Sequence, residues 1–408
     1  MSLADRFRRL EARLPALLAE AGLDGWIVFT RENSPDSIAA WVGAEKAVAR
    51  TACLFGRIGG SPRRIAICAS YDVTPLEETG LYDEIVAYRS EGAKPHLAAW
   101  VPRMEGKIGL DFSRDIPIAD GLAVGMRAYL EESVGTEVAA RFVTAERLVV
   151  ELVGARTKGE IALIEEAVLR TQKVAREALC AEHVRAGRTS EKDLSVTMHR
   201  MVEAGGDGDK VEFLSINVGP SRGHSEPTDR VIEPGDLLRI DFGIRHEGFC
   251  SDIQRTAYVL GPNEAGPPPE IAKMWRVNRD SFRAALGALR PGATGLQVDA
   301  AAREVIERAG YAGYPHAAGH ALGVRVHEIG PLLGPDWPER YGSTVRLPIR
   351  EDQVFAVEPM VYAPDPRTGE PIHIGLEHDV VITNDGCRII GEDQEEIWII
   401  STDRPGAP

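Results

Sequence analysis

Twice in its second half the chain runs through two helix-patterned stretches and then into apolar strands that carry acidic side chains. That repeated order constrains the fold more than any single motif, because each half must bury the same faces in the same layers. In the first half, Thr157-Lys158-Gly159-Glu160 has the hydroxyl–carboxylate spacing of a capping box. Ile161, Ile164, Val168, Thr171 and Ala175 then keep one helical face, and a second helix over 190–204 is stopped by Gly205-Gly206. In the second half, helices are expected near 268–288 and 296–309, broken by Pro291-Gly292 and ended by Gly310. The layout predicts one domain of two similar halves with a site between them.

A chain of 408 residues is too long for one ordinary core, so a separate domain is expected ahead of the duplicated one. Residues 3–22 read as a helix ended by Gly22, followed by a buried strand, Gly25-Trp26-Ile27-Val28-Phe29. Strand-like runs at 51–55, 64–69, 85–88 and 108–111 alternate with helical stretches near 94–104 and 119–132. The expectation is an α/β domain over 1–153 and the duplicated domain over 154–408. The first is poor in chemistry, with His96 its one histidine, and reads as structural or partner-facing.

The net charge of -15 argues against a nucleic-acid partner, which needs a basic face, and against an anionic membrane surface. Cys53, Cys68, Cys180, Cys250 and Cys387 are odd in number and widely spaced, the usage of a reducing compartment. The start, Ala4-Asp5-Arg6-Phe7-Arg8-Arg9-Leu10, reads as an amphipathic helix rather than a signal peptide, and there is no run of 18 apolar residues. A cytoplasmic location is expected.

The strongest chemical signal is Leu237-Leu238-Arg239-Ile240-Asp241-Phe242-Gly243, followed after a turn by Phe249-Cys250-Ser251-Asp252. Aspartate is disfavoured inside strands, so Asp241 between Ile240 and Phe242 needs a reason. A turn centred on His246-Glu247 would set Asp241 opposite Asp252, with Cβ atoms roughly 4.5–5.5 Å apart. A cation between two such carboxylates would relieve their repulsion. Val354-Phe355-Ala356-Val357-Glu358-Pro359 and Ile372-His373-Ile374-Gly375-Leu376-Glu377 repeat the device. There, a turn centred on Arg367-Thr368 would set Glu358 opposite Glu377. Two such ribbons suit two divalent ions about 3.5–4 Å apart.

Seven of the ten histidines fall between 224 and 378, and three lie in the run from His316 through His320 to His327. One of these three is expected to complete the metal set, since mixed carboxylate–imidazole sites suit Mn²⁺, Co²⁺, Fe²⁺ or Zn²⁺. The others can donate to a substrate carbonyl or a developing oxyanion. His96, His183 and His199 have no chemical neighbours in sequence and read as structural or exposed. No HExxH zinc-protease motif is present.

In their order, Asp241, Asp252, His320, Glu358 and Glu377 resemble the five metal ligands of the pita-bread metallopeptidases: aminopeptidase P, prolidase and methionine aminopeptidase. Asp236-Leu237-Leu238-Arg239-Ile240-Asp241-Phe242-Gly243, Val326-His327-Glu328 and Val357-Glu358-Pro359 carry the resemblance over about 156–400. The first domain is similar to the creatinase-type N-terminal domain of aminopeptidase P and prolidase. The fold implied is an α/β N-terminal domain plus an α+β pita-bread C-terminal domain, its pseudo-two-fold duplicated halves around a curved antiparallel sheet.

The resemblance further implies that Asp241 and Asp252 contact metal, one of them bridging, that His320 binds one ion and that Glu377 bridges both. Glu358 would be a ligand and also shuttle the proton of the attacking water. His224, His316 and His327 match the family's substrate histidines. A hydroxide bridging two ions, usually Mn²⁺ or Co²⁺, would attack the amide bond before proline, and a homodimer is implied. Two positions depart from the family pattern: Gly375-Leu376-Glu377 lacks the usual arginine of Arg-Ile-Glu, and Gln254-Arg255-Thr256 replaces Thr-Arg-Thr. Neither removes a ligand.

The leading expectation is an Xaa-Pro aminopeptidase or Xaa-Pro dipeptidase. One alternative keeps the fold and ions and hydrolyses a small non-peptide C–N substrate, as ectoine hydrolase does. Another is a non-catalytic binding module of the same fold.

Overall fold

The computed structural model describes residues 3–401 except His224; the side chains of residues 3–6 are not described. The chain divides into two compact units, Met1–Gly154 and Ala155–Pro408.

The first unit is built on a six-stranded mixed sheet. Its strands are β1 (Gly25–Thr30), β2 (Thr51–Ile58), β3 (Ser61–Ala69), β4 (Glu84–Tyr88), β5 (Ile108–Leu110) and β6 (Phe142–Thr144). They lie in the order β4-β3-β2-β1-β5-β6. β1 is buried at every position, as its unbroken apolar run requires of a strand covered on both faces. The helix Leu3–Ala21 ends where Gly22 turns to a φ of 68°. Two expected helices are shorter. The first is Lys94–Trp100, after which Pro102 sits in a 3₁₀ turn, Val101–Arg103. The second starts only at Val124 because the chain before it packs closely on Asp36: a Cβ on Gly121 would fall 2.7 Å from Asp36 Oδ1. The helix Glu146–Gly154 was not anticipated; it is nine residues long and carries a short valine-rich apolar run, which a sequence pattern cannot tell from a buried strand.

The second unit repeats helix–helix–ribbon. The helix Lys158–Ala178 starts at a full capping box in which Thr157 Oγ1 accepts from Glu160 N (3.2 Å) and Glu160 Oε2 from Thr157 N (2.7 Å). Ser190 and Asp193 do the same for Glu191–Ala204, and Thr294 and Gln297 cap Gly295–Arg308, which follows Pro269–Ala288. After the first pair come β7 (Lys210–Val218), β8 (Leu237–His246), β9 (Phe249–Cys250) and β10 (Ile253–Val259). After the second come β11 (Gly319–Ala321), β12 (Val354–Val357), β13 (Met360–Pro364), β14 (Pro371–Gly375), β15 (His378–Ile382), β16 (Cys387–Ile389) and β17 (Trp398–Ile400). The sheets run β17-β10-β8-β7 with β9 on β8, β11-β12-β15-β16, and β13-β14.

Strand alternation aims the acids. Leu238, Ile240, Phe242 and Ile244 of β8 share a core with Ile161, Ile164 and Val168, so Asp241 is turned to the opposite face. Its partner is not the expected one. Asp241 pairs with Gln254, not Asp252, because the turn is Glu247-Gly248, one residue later than the sequence suggests. Both turn residues have positive φ, 47° and 88°, as a two-residue hairpin of this kind demands, and Gly248 supplies one at no cost. Moving the turn by one residue moves the pairing by two, so the faces are kept. Asp252 lies between β9 and β10, outside the ladder. In the second ribbon Val357 pairs with His378 and Met360 with Gly375. One register therefore runs across the gap and sets Glu358 opposite Glu377, as the sequence predicts.

Candidate metal centre

Asp252, His320 and Glu377 converge. Each offers one ligand atom, and these atoms lie within 4.8 Å of one another. His320 Nε2 is 3.4 Å from Asp252 Oδ2 and 3.8 Å from Glu358 Oε1. His320 arrives on β11 opposite Ala356, and Ala356 lies opposite Asp379. Asp241, Asp252, His320, His327, Glu358 and Glu377 all line one cavity of about 510 Å³. A second cavity of about 410 Å³ shares Asp241, His320, His327 and Glu358 and adds His316, Arg239 and Gln254.

The carboxylates sit where charge is expensive. Burial first, then the neighbouring acids, hold Asp252 and Glu377 well above the ordinary carboxylate range. Glu358 is pushed up to about 8, mainly by burial. Arg255 is buried beside them but spends its guanidinium on the backbone carbonyls of Gln254 and Glu377, at 2.9 and 2.8 Å. Among the described residues, Asp252 Oδ1 and Glu377 Oε2 are buried with no hydrogen-bond partner. Two buried carboxylate oxygens without a donor of their own, on residues that converge with one imidazole, fit a divalent cation in donor chemistry.

Of the remaining expected residues, His327 lies against His320, with ring centroids 4.3 Å apart and the rings tilted by 49°. His316 lines the second cavity, 5.0 Å from the Tyr314 ring. His224 lies outside the described residues. Sequence reasoning missed Asp379, which is fully buried and accepts from Asp252 N at 2.8 Å. Its only signal was its place two residues past Glu377, on the same strand face. The spacing Gly219-Pro220-Ser221-Arg222-Gly223 matches GxSxG but lies in the loop between β7 and β8, not at a strand-to-helix elbow. There Ser221 Oγ bonds His373 Nδ1 at 2.6 Å.

The profile of metallopeptidase family M24 matches residues 162–384, more than half of the chain. The chain belongs to this family. The M24 chain is 34% identical over 178 residues to an uncharacterized peptidase, YqhT, of Bacillus subtilis, covering 43% of this chain and 45% of that protein. It is 29% identical over 248 residues to an Xaa-Pro dipeptidase of Pyrococcus furiosus, covering 59% of this chain and 64% of that protein. The matches thus span about half to two thirds of these curated relatives. The crystal structure of dipeptidase PepE from Mycobacterium ulcerans superposes with a TM-score of 0.73 at 22% identity, over 98% of this chain and 99% of that one. The fold is therefore the expected one, an α/β first domain and a pita-bread second. Membership of the M24 metallopeptidases carries divalent-metal binding with it. Among the described residues, no helix is long and apolar enough to cross a membrane.

Proposed function

We propose that the chain is a metal-dependent peptide hydrolase that cuts the bond before proline in short substrates, as a dipeptidase or aminopeptidase. The observation that carries this reading is the convergence of Asp252, His320 and Glu377, with two buried carboxylate oxygens lacking donors. Asp241, Asp252, His320, Glu358 and Glu377 would hold two divalent ions, Mn²⁺ first among candidates and Co²⁺, Zn²⁺ or Fe²⁺ after it. When bound, such ions act as Lewis acids that polarise a carbonyl and lower the pKa of a water.

The chain's own groups do the rest. Glu358, whose Oε1 faces His320 Nε2, would take a proton from the attacking water and return it to the leaving nitrogen. His327, His316 and His224 would hold the carbonyl oxygen and stabilise its developing charge. The second cavity, at about 410 Å³, is of small-ligand size, which favours a short substrate over a protein chain. The named relative from Pyrococcus furiosus, an Xaa-Pro dipeptidase, supports the choice of proline. The cysteine usage supports a cytoplasmic home, and a homodimer is the assembly we propose.

The small volume of that cavity also suits one second reading, a small cyclic amidine as substrate. The deciding experiment offers the Mn²⁺-loaded protein Xaa-Pro dipeptides, longer Xaa-Pro peptides, Xaa-Ala controls and ectoine-like amidines. Selective Xaa-Pro turnover is expected. Turnover confined to the amidines would move the assignment to the second reading.

A further inference from the structure

Gln254 stands in β10 opposite Asp241 and is buried, with 5% of its surface exposed. Its side chain reaches to β14, where a Cβ on Gly375 would lie 2.2 Å from Gln254 Oε1 and 3.4 Å from its Cδ. The backbone of Gly375 does not have a positive φ. What its glycine provides is space, and the Gln254 amide fills it. On the other side of that amide, Nε2 donates to Glu358 Oε2 at 3.3 Å. Glu358 lies in the break between β12 and β13, where its own backbone N–H goes to Ala318 O, one step beyond the paired residues of β11 and β12. One carboxylate oxygen is thus held by the amide, and Oε1 is left turned to His320 Nε2 at 3.8 Å.

We propose that Gln254 is a positioning residue for Glu358, seated by the missing side chain of Gly375, so that the two positions act as one unit. This rests on the reading of Glu358 as a metal-holding and proton-carrying group. A carboxylate free to rotate presents its oxygens to a cation in the right orientation only part of the time. Removing the amide that restrains it therefore weakens metal binding and turnover without touching a ligand.

The test is a calorimetric titration of the metal-stripped protein with manganese chloride, for the wild type, Gln254→Met, Gly375→Ala and the double variant. Gln254→Met keeps the volume and loses the donor, and should weaken manganese binding by about 10-fold or more while the metal-free melting temperature stays near wild type. Gly375→Ala would crowd the end of the Gln254 side chain and otherwise meet Met360 Cγ at 3.4 Å, so it should fold, push the amide off Glu358 and show the same loss. The double variant should bind no more weakly than either single one, because both changes remove one contact. Wild-type affinity in Gln254→Met, or losses that add in the double variant, overturns the proposal. A wild-type protein that takes up no manganese overturns the metal reading beneath it as well. Uptake by the wild type with an unaffected Gln254→Met overturns the pair alone.

Discussion

Asp379 accepts a 2.8 Å hydrogen bond from the backbone N–H of Asp252, tying together two ribbons 127 residues apart in the chain. Asp252 has left the strand ladder, so its N–H has no strand partner, and the buried Asp379 carboxylate supplies one. That bond helps hold the Asp252 side chain against His320 and Glu377. Asp379→Ala should leave a buried N–H unsatisfied and lower stability by about 1–3 kcal/mol, read as a fall in melting temperature. Asp379→Asn keeps an acceptor and should lose much less. Equal losses in the two variants would show that the charge matters and the bond does not.

Asp252→Ala and Glu377→Ala should each abolish metal retention and turnover, measured by elemental analysis after dialysis and by peptide assay. In the metal-free state neither should melt lower than the wild type, since each removes a carboxyl group made costly first by its burial and then by the acids around it. For the wild type, chelation should lower the melting temperature and restored Mn²⁺ should raise it, because the ion binds the folded chain.

His327→Ala should keep its metal and lose rate, by about 10²-fold or more if the imidazole stabilises the oxyanion. The 4.3 Å between the His320 and His327 rings makes this a sharp test of which of the two is the ligand. Loss of metal from His327→Ala would reverse the assignment.

The first unit should show a pH dependence of its own. Burial raises Asp36 to about 6 and holds Asp111 well above the ordinary carboxylate range, the charge of Asp36 adding to the latter. Folded, these acids bind protons more tightly than they do unfolded. Their contribution to stability is therefore full below the unfolded value of 3.8 and is lost as pH rises through about 6. Asp36→Asn keeps an acceptor for Ile38 N, which now bonds Asp36 Oδ1 at 2.9 Å, and cannot ionise. Its melting temperature relative to wild type should climb as pH rises from 3.8 to about 6 and level off above that. A constant difference across that range would refute the account.

Whatever depends on near neighbours along the chain was legible in the residues. Thr157 and Glu160 announce their capping box, and the alternation around Asp241 places that acid away from Leu238, Ile240 and Phe242. The turn at Arg367-Thr368 already sets Glu358 across from Glu377. One local error, taking His246-Glu247 for a turn that is Glu247-Gly248, moved the partner of Asp241 but not its face, because strand side chains repeat every two residues.

The amino-acid sequence by itself determined the duplicated layers, the acid-bearing ribbons and the small set of imidazoles from which a metal ligand is drawn. The family resemblance already implied His320 as the ligand, and the structure sets it against Asp252 and Glu377; only the tertiary structure decided that Asp379 anchors Asp252 and that Gln254 fills the space over Gly375. These are contacts between segments from tens to more than a hundred residues apart. Periodicity and turn chemistry act over a few residues, whereas such meetings are set by how whole layers pack, and no local pattern encodes them.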